Sequence, residues 1–146
     1  MKRSMLVVLA AVSLAAVLTT VAIFVFGGGP STKTVVIKKG SFIPPPNWSG
    51  SSPLFIDDYF SPANLTIKVG QKVLWYNAYS VTHTVTSLSI PKGVKGPDLI
   101  LNPGGSGEFV FHTQGTYVYY CTIHPWKGGV VNVIPESAGE GVIVGY

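Results

Sequence analysis

The sequence predicts an all-β fold, a Greek-key β-sandwich preceded by one N-terminal transmembrane helix or signal segment. Three observations carry this expectation. Beyond residue 30 no stretch repeats its apolar residues at helical spacing, whereas several short runs alternate apolar and polar positions. Those runs are separated by Gly- and Pro-containing turn signals. Residues 5–26 carry no charge and only Ser13, Thr19 and Thr20 as mildly polar members.

The elements follow in chain order. Residues 1–4 form a short positive start, and residues 5–26 would span about 33 Å as a helix, close to the roughly 30 Å hydrocarbon core. The positive end stays cytoplasmic, so the rest is exported: a single-pass cell-membrane protein with its C-terminal domain outside the cytoplasm. A cleaved signal peptide is the rival, leaving a secreted or periplasmic protein. The small-x-small site at residues 20–22 is followed by further apolar residues, which favours the anchor. The expected layout is a signal-anchor at 1–29, one compact domain at 30–135 and a Gly-rich tail at 136–146.

Residues 34–38 read as a strand, and residues 41–53, with four prolines that cannot donate to a ladder, as a loop. Residues 65–69 and 72–77 are strands about a Gly70-Gln71 turn. Residues 83–86 form another, followed by a Pro/Gly-rich connection at 91–107. Residues 108–112 form a strand, Gln114-Gly115 turns the chain, residues 116–121 return, and residues 129–134 close the series. Such a series describes an antiparallel sandwich or barrel.

Composition excludes several classes. Charged residues make up only 11% of the chain, against about 25% in average soluble domains. The net charge is +4, of which Lys2 and Arg3 supply two, and no basic cluster follows them, so no nucleic acid partner is expected. One Cys excludes an internal disulfide framework, and the aliphatic and aromatic content excludes disorder for the bulk of the chain. No nucleophile–base pair at matched spacing points to an enzyme.

The chemistry concentrates in two stretches. His83 sits in residues 81–85 (VTHTV), and Cys121 and His124 in residues 121–127 (CTIHPWK). A Cys ending a strand and a His three residues on, in a tight turn, can point at one atom. His83 opens another strand, and a sandwich can bring it to the same end. Two imidazoles and one thiolate in a plane describe a blue-copper site, whereas structural zinc normally takes four protein ligands. Each residue alone reads more simply as a buried Cys or an ordinary strand-end His. A free thiol without a pairing partner in an exported protein is less ordinary. His112, between Phe111 and Thr113, reads as a surface strand residue and not a ligand.

Residues 60–70 (FSPANLTIKVG), 73–77 (VLWYN), 115–125 (GTYVYYCTIHP) and the closing 128–133 stretch together resemble the cupredoxin family, the plastocyanin-, azurin- and amicyanin-like type 1 blue copper proteins. The resemblance covers residues 34–134, and the ligand spacing is most similar to the short loop of amicyanin-type members. It implies a cupredoxin-like, eight-stranded sandwich holding one type 1 copper ion, with His83, Cys121 and His124 as equatorial ligands. His124 would be the exit route for the electron, and Pro125 and Trp126 would give an apolar docking surface for redox protein partners, Trp126 having core packing as its alternative. The Thr84 and Ile123 N–H groups would reach the Cys121 sulfur.

The family's usual axial Met is absent. In short-loop members it follows the second His by three residues, where this chain has Lys127; its only methionines are Met1 and Met5. The favoured expectation is that Lys127 turns to solvent, leaving copper three-coordinate or with the Thr82 carbonyl or a water as a distant fourth ligand. The alternatives are a neutral Lys127 amine bound to copper, and an impaired site. The function expected is single-electron transport by Cu(I)/Cu(II) cycling between redox partners. The competing reading is a copper-binding or delivery protein, or an accessory subunit, whose metal does not cycle.

Overall fold

The computed structural model describes residues 31–40 and 43–137. The segment 5–26 and the tail beyond residue 137 lie outside the described residues. Among the described residues no helix is long and apolar enough to cross a membrane.

Nine strands are present among the described residues: β1 (Thr32–Ile37), β2 (Phe60–Ser61), β3 (Asn64–Lys68), β4 (Lys72–Asn77), β5 (His83–Ser89), β6 (Asp98–Leu101), β7 (Ser106–Val110), β8 (Gly115–Tyr120) and β9 (Gly128–Ile134). They form two sheets, ordered β2-β1-β4-β7 and β3-β9-β8-β5-β6. The expected sandwich is therefore present, with corrections. The count is nine rather than eight, the two-residue β2 being easily passed over. β6 lies inside the stretch read as an irregular connection. The pairing is not uniformly antiparallel, because β1 runs parallel to β4 and β3 parallel to β9. Period-two alternation marks the faces of a strand but carries no information about its direction.

Alternation places the core. In β4, Val73, Trp75 and Asn77 are buried; in β8, Tyr117 and Tyr119 are buried, and Cys121 continues their parity inward. In β9 the same pattern buries Val131 and Val133. Trp75 meets Tyr119 edge-on at 5.4 Å, and Tyr119 meets Phe60 at 5.0 Å. Fully burying such an aromatic stabilises the fold by about 1.5–3 kcal/mol. Tyr119 lies opposite Gly129 in the β8–β9 register, and a Cβ at Gly129 would run into the Tyr119 ring. Glycine is required there by the close approach of that ring.

Candidate metal centre

Three backbone hydrogen bonds fold residues 121–127 into a closed loop. The His124 N–H donates to the Cys121 carbonyl (3.2 Å), Lys127 N–H to His124 (2.8 Å), and Cys121 N–H to the Lys127 carbonyl (2.9 Å). The strand parity of β8 sends the Cys121 side chain inward, and the turn brings His124 back over it. His83 enters from the first position of β5, on the same inward parity as Val85.

The loops that carry the ligands are pinned from both sides. The Asn77 side-chain amide donates to the Val81 carbonyl (2.7 Å) and the Leu101 carbonyl (2.9 Å), and its oxygen accepts the Tyr79 N–H (3.0 Å). These bonds shape the 77–83 loop that delivers His83. The Thr84 hydroxyl oxygen accepts the Thr122 N–H at 2.9 Å, joining β5 to the ligand loop. Asn77 was not singled out in the sequence, and Thr84 was singled out only for its N–H. A polar residue ending an apolar strand and a Thr beside a candidate ligand were the available signals.

His83, Cys121 and His124 come together as expected. Their ligand atoms all lie within 4.8 Å of one another, with His83 Nδ1 3.6 Å and His124 Nδ1 3.7 Å from Cys121 Sγ. First-row metal bonds of about 2.0 Å to nitrogen and about 2.3 Å to sulfur, at a trigonal angle, place N and S about 3.7 Å apart. The donor set thus fits one shared ion with soft-ligand character, the chemistry that suits copper. His83 and Cys121 are 0% exposed and His124 is 6% exposed. Burial, helped by Lys127 and His124, lowers the His83 pKa to about 4, and burial and Lys127 lower that of His124. Both shifts favour neutral rings, the form that ligates metal.

The Thr84 N–H points at the Cys121 sulfur (3.4 Å), as expected. The Ile123 N–H does not make that bond; the turn closes through the His124 N–H instead. His112 is exposed, just past the end of β7, and takes no part in the cluster.

Two expectations are overturned. Lys127 does not turn to solvent: it is 0% exposed, and its Nζ lies 5.1 Å from the centre of the Tyr59 ring. Its backbone is held by the loop's own bonds, and residues around Leu54 cover it. Leu54 N–H donates to the Trp126 carbonyl (2.7 Å), and the Leu54 carbonyl accepts the Gly128 N–H (3.3 Å). Trp126, expected on the docking surface, is only 6% exposed. It packs edge-on against Trp48 at 5.7 Å and His124 at 5.5 Å. The exposed apolar residue beside His124 is Ile123, at 52%.

A mixed β-sandwich with a buried two-His, one-Cys cluster at a strand end defines a mononuclear metal protein of the copper-binding class. Residues 57–134 match the model of copper binding proteins of the plastocyanin/azurin family, and the chain belongs to that family, the cupredoxins. It is 35% identical over 84 residues to the chloroplastic plastocyanin of Tetradesmus obliquus, covering 53% of this chain and 58% of that one. It is 39% identical over 77 residues to amicyanin-alpha of Methylorubrum extorquens, covering 51% of this chain and 63% of that one. The matches thus span less than two thirds of those relatives' lengths. Among solved structures, the novel purple cupredoxin from Nitrosopumilus maritimus superposes with a TM-score of 0.53 at 34% identity, covering 69% of this chain and 98% of that chain. Copper is the metal of this family, and His83, Cys121 and His124 are the residues that fit it.

Proposed function

We propose that this protein is a membrane-anchored, extracytoplasmic carrier of single electrons, using one type 1 copper held by His83, Cys121 and His124. The observation that carries the reading is the convergence of these three donors within 4.8 Å in a buried pocket. Copper held there supplies a one-electron couple. The protein's part is to keep the donors nearly still between the two oxidation states. Hydrogen bonds from Asn77 and Thr84 do this on the His83 side, and the closed 121–127 loop does it on the other. The Thr84 N–H stabilises negative charge on the sulfur.

Electron exchange with redox protein partners would pass through the His124 edge, with Ile123 and Pro125 as the adjoining apolar contact. Burial of all three donors supports a retained ion over one that is handed on. Anchoring by residues 5–26, with the copper domain outside the cytoplasm, rests on the uncharged length of that segment and the basic residues before it. Sequencing the mature N-terminus from membrane fractions tests it: a start near Ile23 or Gly27 rejects the anchor.

Visible spectroscopy and voltammetry of the copper-loaded protein test the function. An intense thiolate-to-copper band with a reversible one-electron wave is expected. A colourless protein that holds only Cu(I) and does not cycle would reject the carrier in favour of copper delivery.

A further inference from the structure

Lys127 is the feature of the site that the carrier reading leaves unexplained. We propose that its side-chain amine is a fourth donor to the copper. This rests on the copper-carrier reading above and adds to it a ligand of a different chemical kind.

The backbone of Lys127 is tied to both ligands of the loop, its N–H donating to His124 at 2.8 Å and its carbonyl accepting from Cys121 at 2.9 Å. Its side chain is 0% exposed, and Nζ has no hydrogen-bond partner among the described residues. Among the described residues the ion pair is Lys72–Glu108, at 3.0 Å, so no carboxylate compensates Lys127. An ammonium stripped of water without an acceptor is strongly disfavoured, and the Tyr59 ring face at 5.1 Å offers only partial compensation. A neutral amine there has a free lone pair and needs a Lewis acid.

The pocket is shaped for this group. A Cβ at Gly40 would stand 3.2 Å from Nζ and 3.3 Å from the Tyr59 ring, so glycine leaves the room that the amine occupies. Nζ also lies within the electrostatic reach of every donor. The charge of Lys127 is felt at His83 and His124, and that of Cys121 is felt at Lys127, so the amine and the three donors share one pocket. The amine binds in its neutral form, the proton it carries in the unfolded chain having passed to solvent, and no other bond is made or broken besides the Cu–N contact.

A buried ammonium that does not ligate predicts the opposite redox behaviour, which makes the two separable. A nitrogen donor stabilises Cu(II) over Cu(I), so deleting it raises the reduction potential. An ammonium repels the more positive Cu(II) state, so deleting it lowers the potential.

The experiment is pulsed EPR of the full-length Cu(II) protein labelled with 15N at lysine Nζ only, with voltammetry of wild type and Lys127→Leu. A strong 15N coupling in wild type, its loss in Lys127→Leu and an upward shift of the potential are expected. A type 1 signal without 15N coupling, or a potential that falls or stays unchanged, overturns the fourth-ligand assignment and leaves the carrier standing. Should Lys127→Leu fail to fold, the wild-type label alone decides. Absence of both the thiolate band and a reversible wave in wild type overturns the carrier and this inference with it.

Discussion

Thr84 and Thr122 are joined through a single oxygen: the Thr84 hydroxyl accepts the Thr122 N–H at 2.9 Å, and the two hydroxyls lie 3.2 Å apart. Thr84 also directs its own N–H to the Cys121 sulfur at 3.4 Å. One residue therefore ties the strand bearing His83 to the loop bearing Cys121 and His124, across 38 positions of sequence.

Thr84→Val removes this latch while keeping the shape of the side chain. It leaves a partly buried N–H without its acceptor, at a cost of about 1–3 kcal/mol. Urea unfolding of the metal-free protein is expected to show a lower midpoint with an unchanged slope. The Thr84 N–H persists in this variant, so the thiolate band should survive copper loading.

Cys121→Ser removes the thiolate and replaces it with a harder, smaller donor. The intense charge-transfer band is expected to vanish, because it originates on sulfur. Since Cys121 is a small buried residue at a strand end, circular dichroism should remain that of the sandwich. A band of undiminished intensity in this variant would place the metal elsewhere.

The metal-free protein is expected to lose stability in acid. The folded His83 pKa of about 4 lies below its ordinary value of 6.5, chiefly through burial. Between those values the unfolded chain binds a proton that the folded chain does not, so stability falls as pH falls through this window. Its contribution is fully present above the unfolded value and lost below the folded one. Melting temperatures of the metal-free protein from pH 7.5 to 4 measure this, with His83→Gln as the variant whose slope should flatten.

Ile123 is 52% exposed beside His124, so its replacement by a charge tests the contact surface without touching a ligand. Ile123→Lys is expected to slow electron self-exchange by roughly tenfold or more, since like charges then meet across the encounter. The visible spectrum should not change. NMR line broadening in mixtures of oxidised and reduced protein reports the rate.

Gly129→Ala forces a methyl group toward the Tyr119 ring across the β8–β9 pair. Overpacking of this kind costs about 1–3 kcal/mol. A lowered melting temperature with copper binding retained is expected, and Gly50→Ala, whose Cβ would meet nothing within 4 Å, serves as a comparison for backbone strain at its positive φ of 83°.

The ligand set was legible because the relevant residue types are so few: one Cys, and a His three positions beyond it at the end of a period-two run. Strand faces were legible for the same reason that Trp75 and Tyr119 are buried, namely alternation. β6 was hidden because Pro97 and Gly96 precede it and Pro103 follows closely, so composition pointed to a loop. Parallel pairing of β1 with β4 depends on how the chain crosses between sheets, which no local pattern records. Lys127 and Trp126 were misread for one shared reason. Their enclosure comes from Leu54, Trp48, Tyr59 and Gly40, all more than sixty positions upstream, whereas the local pattern of a lysine after a turn suggests water.

The enclosure of Lys127 by Gly40 and Tyr59 bears on protein engineering. Transplanting the heptapeptide 121–127 into a foreign scaffold would move three potential donors but leave behind the glycine notch and the aromatic wall that confine the amine. In such a chimera the lysine would regain hydration, and the recipient's colour and redox behaviour would follow its own walls more than the inserted peptide.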